Sequence, residues 1–322
     1  MSLQIKAARV AMRALEHTAP SLGAVLAERL FFTPPRTPLA PPARDLLETA
    51  QPFRVCVDGG RVAAWAWGRG PAVGLVHGWG GRGGRLAAAF VAPLVAGGFS
   101  VVTFDAPGHG ASDGTLSSMP QVARALQAVA DAAGTLFAVI AHSMGGSASA
   151  LAISNGLQVE RAVFIAPAAD PARYADDFAA TLGVGPVAMA GMRRRSEARL
   201  RFRWSDLNVP RMAQAFDVPL LVVHDRDDPV VPWEEGAAIA GAWPGAELVT
   251  TTGLGHRDVV RNAEIVARAV DFVRGGAAHS APLEALPCAV GDEGAWVDGD
   301  LFQRDERRRR HTARYPRYAV VS

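Results

Sequence analysis

Residues 138–150 read AVIAHSMGGSASA, an apolar run that stops at a histidine and a serine and resumes as a glycine pair followed by small residues. The run before Ser143 suits a buried strand, and the small residues after it suit a helix packed close to that strand. A serine at such a junction has two readings. It can cap the helix, as serine often does. Alternatively its hydroxyl is the exposed nucleophile of a sharp turn, which needs small residues two positions to either side so that strand and helix can approach. Gly145 meets that need on one side. Ala141 brings a single methyl to the other, a mild crowding that leaves the turn feasible.

Outward from this junction the same rhythm recurs. AVGLVH, FSVVTFD, LFAVIA, RAVFIAP, PLLVVHD and AELVTT alternate with helical segments, and continuous apolar strands separated by helices predict a parallel sheet covered on both faces. FRVCVD and RVAAWAW flank Asp58-Gly59-Gly60 and predict a hairpin ahead of them. The expected class is therefore α/β, with a mostly parallel eight-stranded sheet. Active groups of such sheets collect at the carboxyl ends of the strands. Here those ends carry His77 to Gly81, Asp105 to Gly110, Ser143, Asp225 to Pro232 and Gly253 to His256. The span from about 167 to 217 is too long for a plain crossover and holds Tyr174, Phe178, Met189, Met192 and Trp204. It reads as a small helical lid.

The two ends differ from this middle. Residues 3–30 show helical periodicity with a break near Pro20, and Lys6, Arg9, Arg13 and Glu16 share one face. A brace packed on the domain is the favoured reading, and a helix lying on a membrane surface is the less favoured one. Pro34, Pro35, Pro38, Pro41 and Pro42 predict a stiff extended connector. The organisation expected is an N-terminal helix and connector over 1–52, a domain over 53–274, and an arginine-rich, partly disordered tail over 275–322. That tail concentrates positive charge in residues 303–322, so the body of a chain with formal net charge +2 is mildly acidic. No large cationic field for nucleic acid results.

Two cysteines far apart suggest neither a disulfide framework nor a zinc site, and no H-E-x-x-H motif occurs. No metal is expected. The glycines form no phosphate-loop pattern, so no nucleotide or other cofactor is implied. No stretch approaches the roughly 18 apolar residues of a spanning helix, and no export signal is evident. A cytoplasmic location is the default expectation.

HGWGG, FDAPGHG, AHSMGG, DDPVVP and GLGH, in that order over roughly residues 53–274, resemble the α/β-hydrolase superfamily. The resemblance implies a serine nucleophile, a histidine base and an acid in the chain order Ser, Asp, His. Ser143 is then the nucleophile. His256, after the last strand, stands where the family has its base. Asp228 is the acid, because similar hydrolases place it three residues before the Val of a Val-Pro, here Val231-Pro232. Asp225 and Asp227 are expected to shape the loop. The backbone N–H groups of Trp79 and Met144 are the expected oxyanion donors. His77, Gly78 and His142 occupy positions expected to line or brace the substrate site. An aspartate at position 143 would have pointed to dehalogenases or epoxide hydrolases; serine points to cleavage of an ester or thioester through an acyl-enzyme. The partner expected is a small acyl or aryl ester. The alternative is a noncatalytic protein of the same fold that binds a small apolar ligand or a partner.

Overall fold

The computed structural model describes residues 3–275 and 296–297. The chain begins with helices α1 (Leu3–Thr18), α2 (Pro20–Phe32) and α3 (Pro41–Glu48), then the hairpin strands β1 (Gln51–Val57) and β2 (Gly60–Trp67). Alternation follows: β3 (Ala72–Val76), α4 (Gly83–Ala96), β4 (Ser100–Phe104), α5 (Met119–Ala133), β5 (Leu136–His142), α6 (Met144–Ser154) and β6 (Arg161–Ile165). The lid contains α7 (Pro171–Leu182), α8 (Pro186–Leu200), a 3₁₀ turn (Trp204–Leu207) and α9 (Val209–Ala213). The chain then returns to the sheet through β7 (Leu220–Asp225), α10 (Trp233–Ala242), β8 (Glu247–Thr251), α11 (Gly255–Asp258) and α12 (Ala263–Arg274). Trp296–Val297 forms a short β9 beside β1.

All six apolar runs and the hairpin became strands. Their order is β8-β7-β6-β5-β3-β4-β2-β1-β9, so β9 adds a ninth strand to the eight expected. β2 runs antiparallel to β1 and β4, and the other ladders are parallel. Alternate residues of one strand serve opposite layers. Val139 and Ala141 of β5 pack with residues of α5 and α6, while Ala138 and Ile140 pack with α4 and α12. Because both layers are apolar, these strands read as unbroken apolar runs in the sequence.

β3 has β4 on one side and β5 on the other, so the chain reverses its direction of travel across the sheet here. The crevice at such a switch point lies between the loops that follow β3 and β5. Those loops carry His77 to Gly81 and Ser143.

The Pro-rich segment is not extended throughout. It is extended to Ala40, but Pro41 and Pro42 open α3, because proline's missing N–H and fixed φ suit the first helical turn. Leu46 and Leu47 of α3 pack on the α4 layer.

The N-terminal helices join the lid. Met12, Ala27 and Phe32 share a core with Ala188, Met189, Met192 and Trp204. The approach of α2 to α8 depends on small residues, since a Cβ added to Gly191 would stand 2.6 Å from that of Ala24. Glu28 of α2 is buried and accepts hydrogen bonds from Arg195 Nε (2.8 Å) and Arg199 Nε (2.9 Å). Glu16 of α1 accepts from the Val187 and Ala188 N–H groups at 2.8 and 3.1 Å and so caps α8. The polar face of α1 thus looks toward α7 and α8, while Val10 is 70% exposed. Among the described residues no helix is long and apolar enough to cross a membrane.

Candidate active site

Ser143 follows β5 directly and adopts φ +55°, ψ −127°, a left-handed conformation that costs a non-glycine residue about 1–3 kcal/mol. Its side chain makes no capping hydrogen bond to α6. The capping reading of this serine therefore does not describe its geometry. The turn is held instead through backbone: Ser143 N–H donates to Ile165 O at 3.0 Å, and Gly146 N–H donates to Ser143 O at 2.9 Å.

The demand for small neighbours is unequal. A Cβ on Gly145 would stand 2.4 Å from Val76 O and 2.8 Å from His77 O, so no side chain fits there. Ala141 is fully buried yet pairs in register with Val76 and Phe164. The β3 loop comes as close from another direction: a Cβ on Gly78 would stand 2.8 Å from Ser143 Cβ. This brings the Trp79 main chain beside the α6 N-terminus. Among the described residues neither the Trp79 nor the Met144 N–H donates to a protein group.

His256, on α11, is buried and its Nδ1 lies 2.7 Å from Asp228 Oδ2. The other oxygen of Asp228 accepts from the Val230 and Val231 N–H groups at 2.8 and 2.9 Å. His224 Nε2 donates to Val231 O at 3.0 Å and also stands 3.5 Å from Asp228 Oδ2. Burial on its own would raise the Asp228 carboxyl, but the hydrogen bonds from His224, His256 and the two main-chain groups overrule it. The result is a carboxyl held well below its usual range and ionised at neutral pH.

Asp225 and Asp227 serve the neighbouring loops. Asp225 accepts from Asp227 N–H (3.0 Å), Thr251 Oγ1 (2.6 Å) and Leu254 N–H (3.1 Å), and Asp227 accepts from Gly253 N–H (2.9 Å). Together they lash the loop after β7 to the loop that carries His256.

The other histidines have bracing geometry. His77 Nδ1 donates to Gly78 O at 2.7 Å while its Nε2 accepts from Ala106 N–H at 2.9 Å. His109 Nε2 accepts from Gly80 N–H at 3.0 Å and its Nδ1 donates to Pro107 O at 3.0 Å. Burial lowers both, His109 to about 4, so each stays neutral. His142 Nε2 donates to His256 O at 2.9 Å, with ring centroids 4.7 Å apart. Burial, seconded by His256, lowers His142 to about 3.

A cavity of about 380 Å³ lies over Ser143 and Met144. Trp79, 39% exposed, also lines it. His77, Gly78 and His142 are not among the residues that line it; of the two roles expected for them, lining or bracing, the hydrogen bonds of His77 and His142 are those of braces. Asp105 is likewise structural, its carboxylate taken up by Arg82 and the Gly83 and Ala111 N–H groups.

Two contributions escaped the sequence. Phe31 and Phe32, at the end of α2, line the cavity. Buried Glu235 of α10 accepts from Ala169 N–H (2.7 Å), Tyr174 Oη (3.1 Å) and Arg173, which ties the start of α7 to the sheet domain. Their partners lie 61 or more residues away in the chain, so no local pattern announces them. Among the described residues no group of three or more His, Cys, Asp or Glu is placed to hold a metal ion.

Residues 75–269, more than half of the chain, match the model of the alpha/beta hydrolase family. The chain belongs to that family. Solved structures with the same fold include an esterase, RhEst1, from Rhodococcus sp. ECU1013 (19% identity, 71% of this chain and 99% of that one, TM-score 0.53). Est1E from Butyrivibrio proteoclasticus, solved with ferulic acid, is similar at 21% identity over 70% of this chain and 98% of that one, with a TM-score of 0.54. Est816, described as degrading N-acyl homoserine lactones, is similar at 18% identity over 69% and 99%, with a TM-score of 0.53.

Proposed function

We propose that the protein is a serine hydrolase that cleaves a carboxylic ester or thioester through an acyl-enzyme, with Ser143 as nucleophile, His256 as base and Asp228 as the orienting acid. The observation that carries this reading is the uncapped Ser143 held at φ +55° over the cavity. A serine held so has its hydroxyl available for attack, and the backbone strain is compensated by the surrounding turn.

Each step follows from the neighbouring groups. Asp228 accepts the Nδ1–H of His256, which leaves Nε2 as the basic nitrogen. His256 takes the Ser143 proton as Oγ attacks the carbonyl carbon, and the resulting imidazolium is stabilised by ionised Asp228. The N–H groups of Met144 and Trp79 receive the oxyanion. The proton passes to the departing alcohol or thiol, and water then deacylates the enzyme by the same route. His142 is a positioning residue, holding the His256 main chain. No cofactor is required.

The lid lining is largely apolar, which favours small neutral esters over charged ones. Labelling by a fluorophosphonate probe tests the reading. The parent should label, and folded Ser143→Ala and His256→Ala variants should not. A folded parent that resists the probe would turn the reading toward the noncatalytic, ligand-binding alternative.

A further inference from the structure

The cavity has one wall that the family region supplies only in part. Phe31 and Phe32 of α2 line it together with Phe178 of α7 and Trp204 of the 3₁₀ turn. The Phe31 ring centroid lies 4.9 Å from Phe32 at 88°, 5.3 Å from Phe178 at 73°, and 5.8 Å from Trp204 at 46°. These rings meet edge to face or tilted, so the wall offers both ring edges and ring faces. Aromatic groups prefer such offset contacts, beyond the area they bury. A saturated ring of similar size gains the burial alone.

The wall is fixed in place. Ser117 N–H donates to Phe32 O at 2.8 Å, and Glu28, in the same helix, is bound to Arg195 and Arg199. Arg199 stands 5.0 Å over the Phe32 ring and Arg193 stands 5.7 Å over Trp204. Neither arginine lines the cavity; Glu197 does, beside the wall, with one carboxylate oxygen taken up by the Trp204 N–H at 3.1 Å.

We infer that this four-ring wall is a subsite for an aromatic ring in one half of a neutral ester substrate, and that Phe31, whose ring meets the other three, determines its specificity. The turnover part rests on the esterase reading; the binding part does not.

Two matched pairs test it: ethyl hydrocinnamate against ethyl cyclohexanepropionate for the acyl half, and phenethyl acetate against cyclohexylethyl acetate for the alcohol half. The parent should favour the phenyl member of at least one pair by about fivefold to tenfold in kcat/KM, and that pair tells which half the wall receives. Phe31→Leu should reduce the preference, read as the ratio of the two kcat/KM values within a pair, to about twofold or less. Phe178→Leu serves the same purpose if Phe31→Leu does not fold. No phenyl preference in either pair, or a preference that survives in the folded variant, overturns the subsite.

Binding of phenethyl alcohol and cyclohexylethanol to the Ser143→Ala protein, followed by tryptophan fluorescence, separates the two readings. If no ester is cleaved but the phenyl ligand binds several-fold tighter and Phe31→Leu removes the difference, the subsite stands and the esterase reading falls. Equal binding of the two alcohols overturns the subsite.

Discussion

The two sides of the cavity are held by different means. On the sheet side several polar side chains are fixed largely by main chain: Asp228 by Val230 and Val231, Asp225 by Asp227 and Leu254, His77 by Gly78 and Ala106. On the lid side the fixing contacts are largely between side chains, such as Glu28 with Arg195 and Arg199 and Glu235 with Arg173 and Tyr174. Backbone contacts constrain position almost regardless of the neighbouring side chain. Side-chain contacts change with a single substitution. The sheet-side carboxylates and histidines are therefore built into the scaffold, while the aromatic wall can vary apart from them.

The sharpest way to break that division is through the acid. Asp228→Asn should lower kcat for a cleavable ester by about 10⁴-fold, because an amide favours the wrong tautomer of His256. Steady-state kinetics would show it, with KM little changed. Next comes the turn. Gly145→Ala should cost about 3 kcal/mol or more in urea unfolding, as its methyl meets main chain, whereas Ala141→Gly should cost about 1 kcal/mol. An equal cost for both would remove the asymmetry described for the turn.

On the lid side Glu28→Ala should cost only about 1–2 kcal/mol, because both arginines remain partly in solvent. Kinetically it should raise KM several-fold with kcat within about twofold, since the rings shift while the reacting groups stay. A loss confined to kcat would contradict the division.

A last effect is on pH dependence and grows only as acid is added. His109 is lowered to about 4, chiefly by burial, against about 6.5 in an unfolded chain. Between those values the unfolded state holds the proton and the native state does not. The contribution to stability is complete above about pH 6.5 and is lost as pH falls toward 4, by up to about 1.4 kcal/mol per pH unit. His109→Gln can keep a donor and an acceptor, so unfolding over a pH series should show a shallower acid slope. An unchanged slope would show that this histidine carries none of the acid sensitivity.

What the sequence made legible was periodic or local. The central strands could be read because each is apolar on both faces, and the strand ends drew attention to Ser143, while Asp228 and His256 were legible only through the resemblance of DDPVVP and GLGH. The α3 helix was hidden by its own prolines, which read as an extended connector yet suit a first turn. Phe31 and Phe32 gave no sign of their role, since a pair of aromatics at a helix end acquires meaning only from α7 and the 3₁₀ turn, more than a hundred residues on. His142 shows the same limit at short range: its place in the chain was plain, but whether it faced substrate or braced His256 depended on the loop after β8. The expectations for the tail, including its basic run, fall outside the described residues except where Trp296–Val297 join the sheet.

The carboxylate of Glu16 reaches the first turn of α8 across 171 positions of sequence. During synthesis α1 and α2 therefore leave the ribosome long before the helix that completes them. Closing so long a loop adds only slowly to the entropic cost, but it delays the contact until most of the chain exists. Until then the face of α2 that carries Gly23, Ala24 and Ala27 has α1 beside it but lacks its α8 partner. The lid thus cannot close on its own core before α8 exists, and the cavity it covers is completed only when the first helices meet a partner made much later.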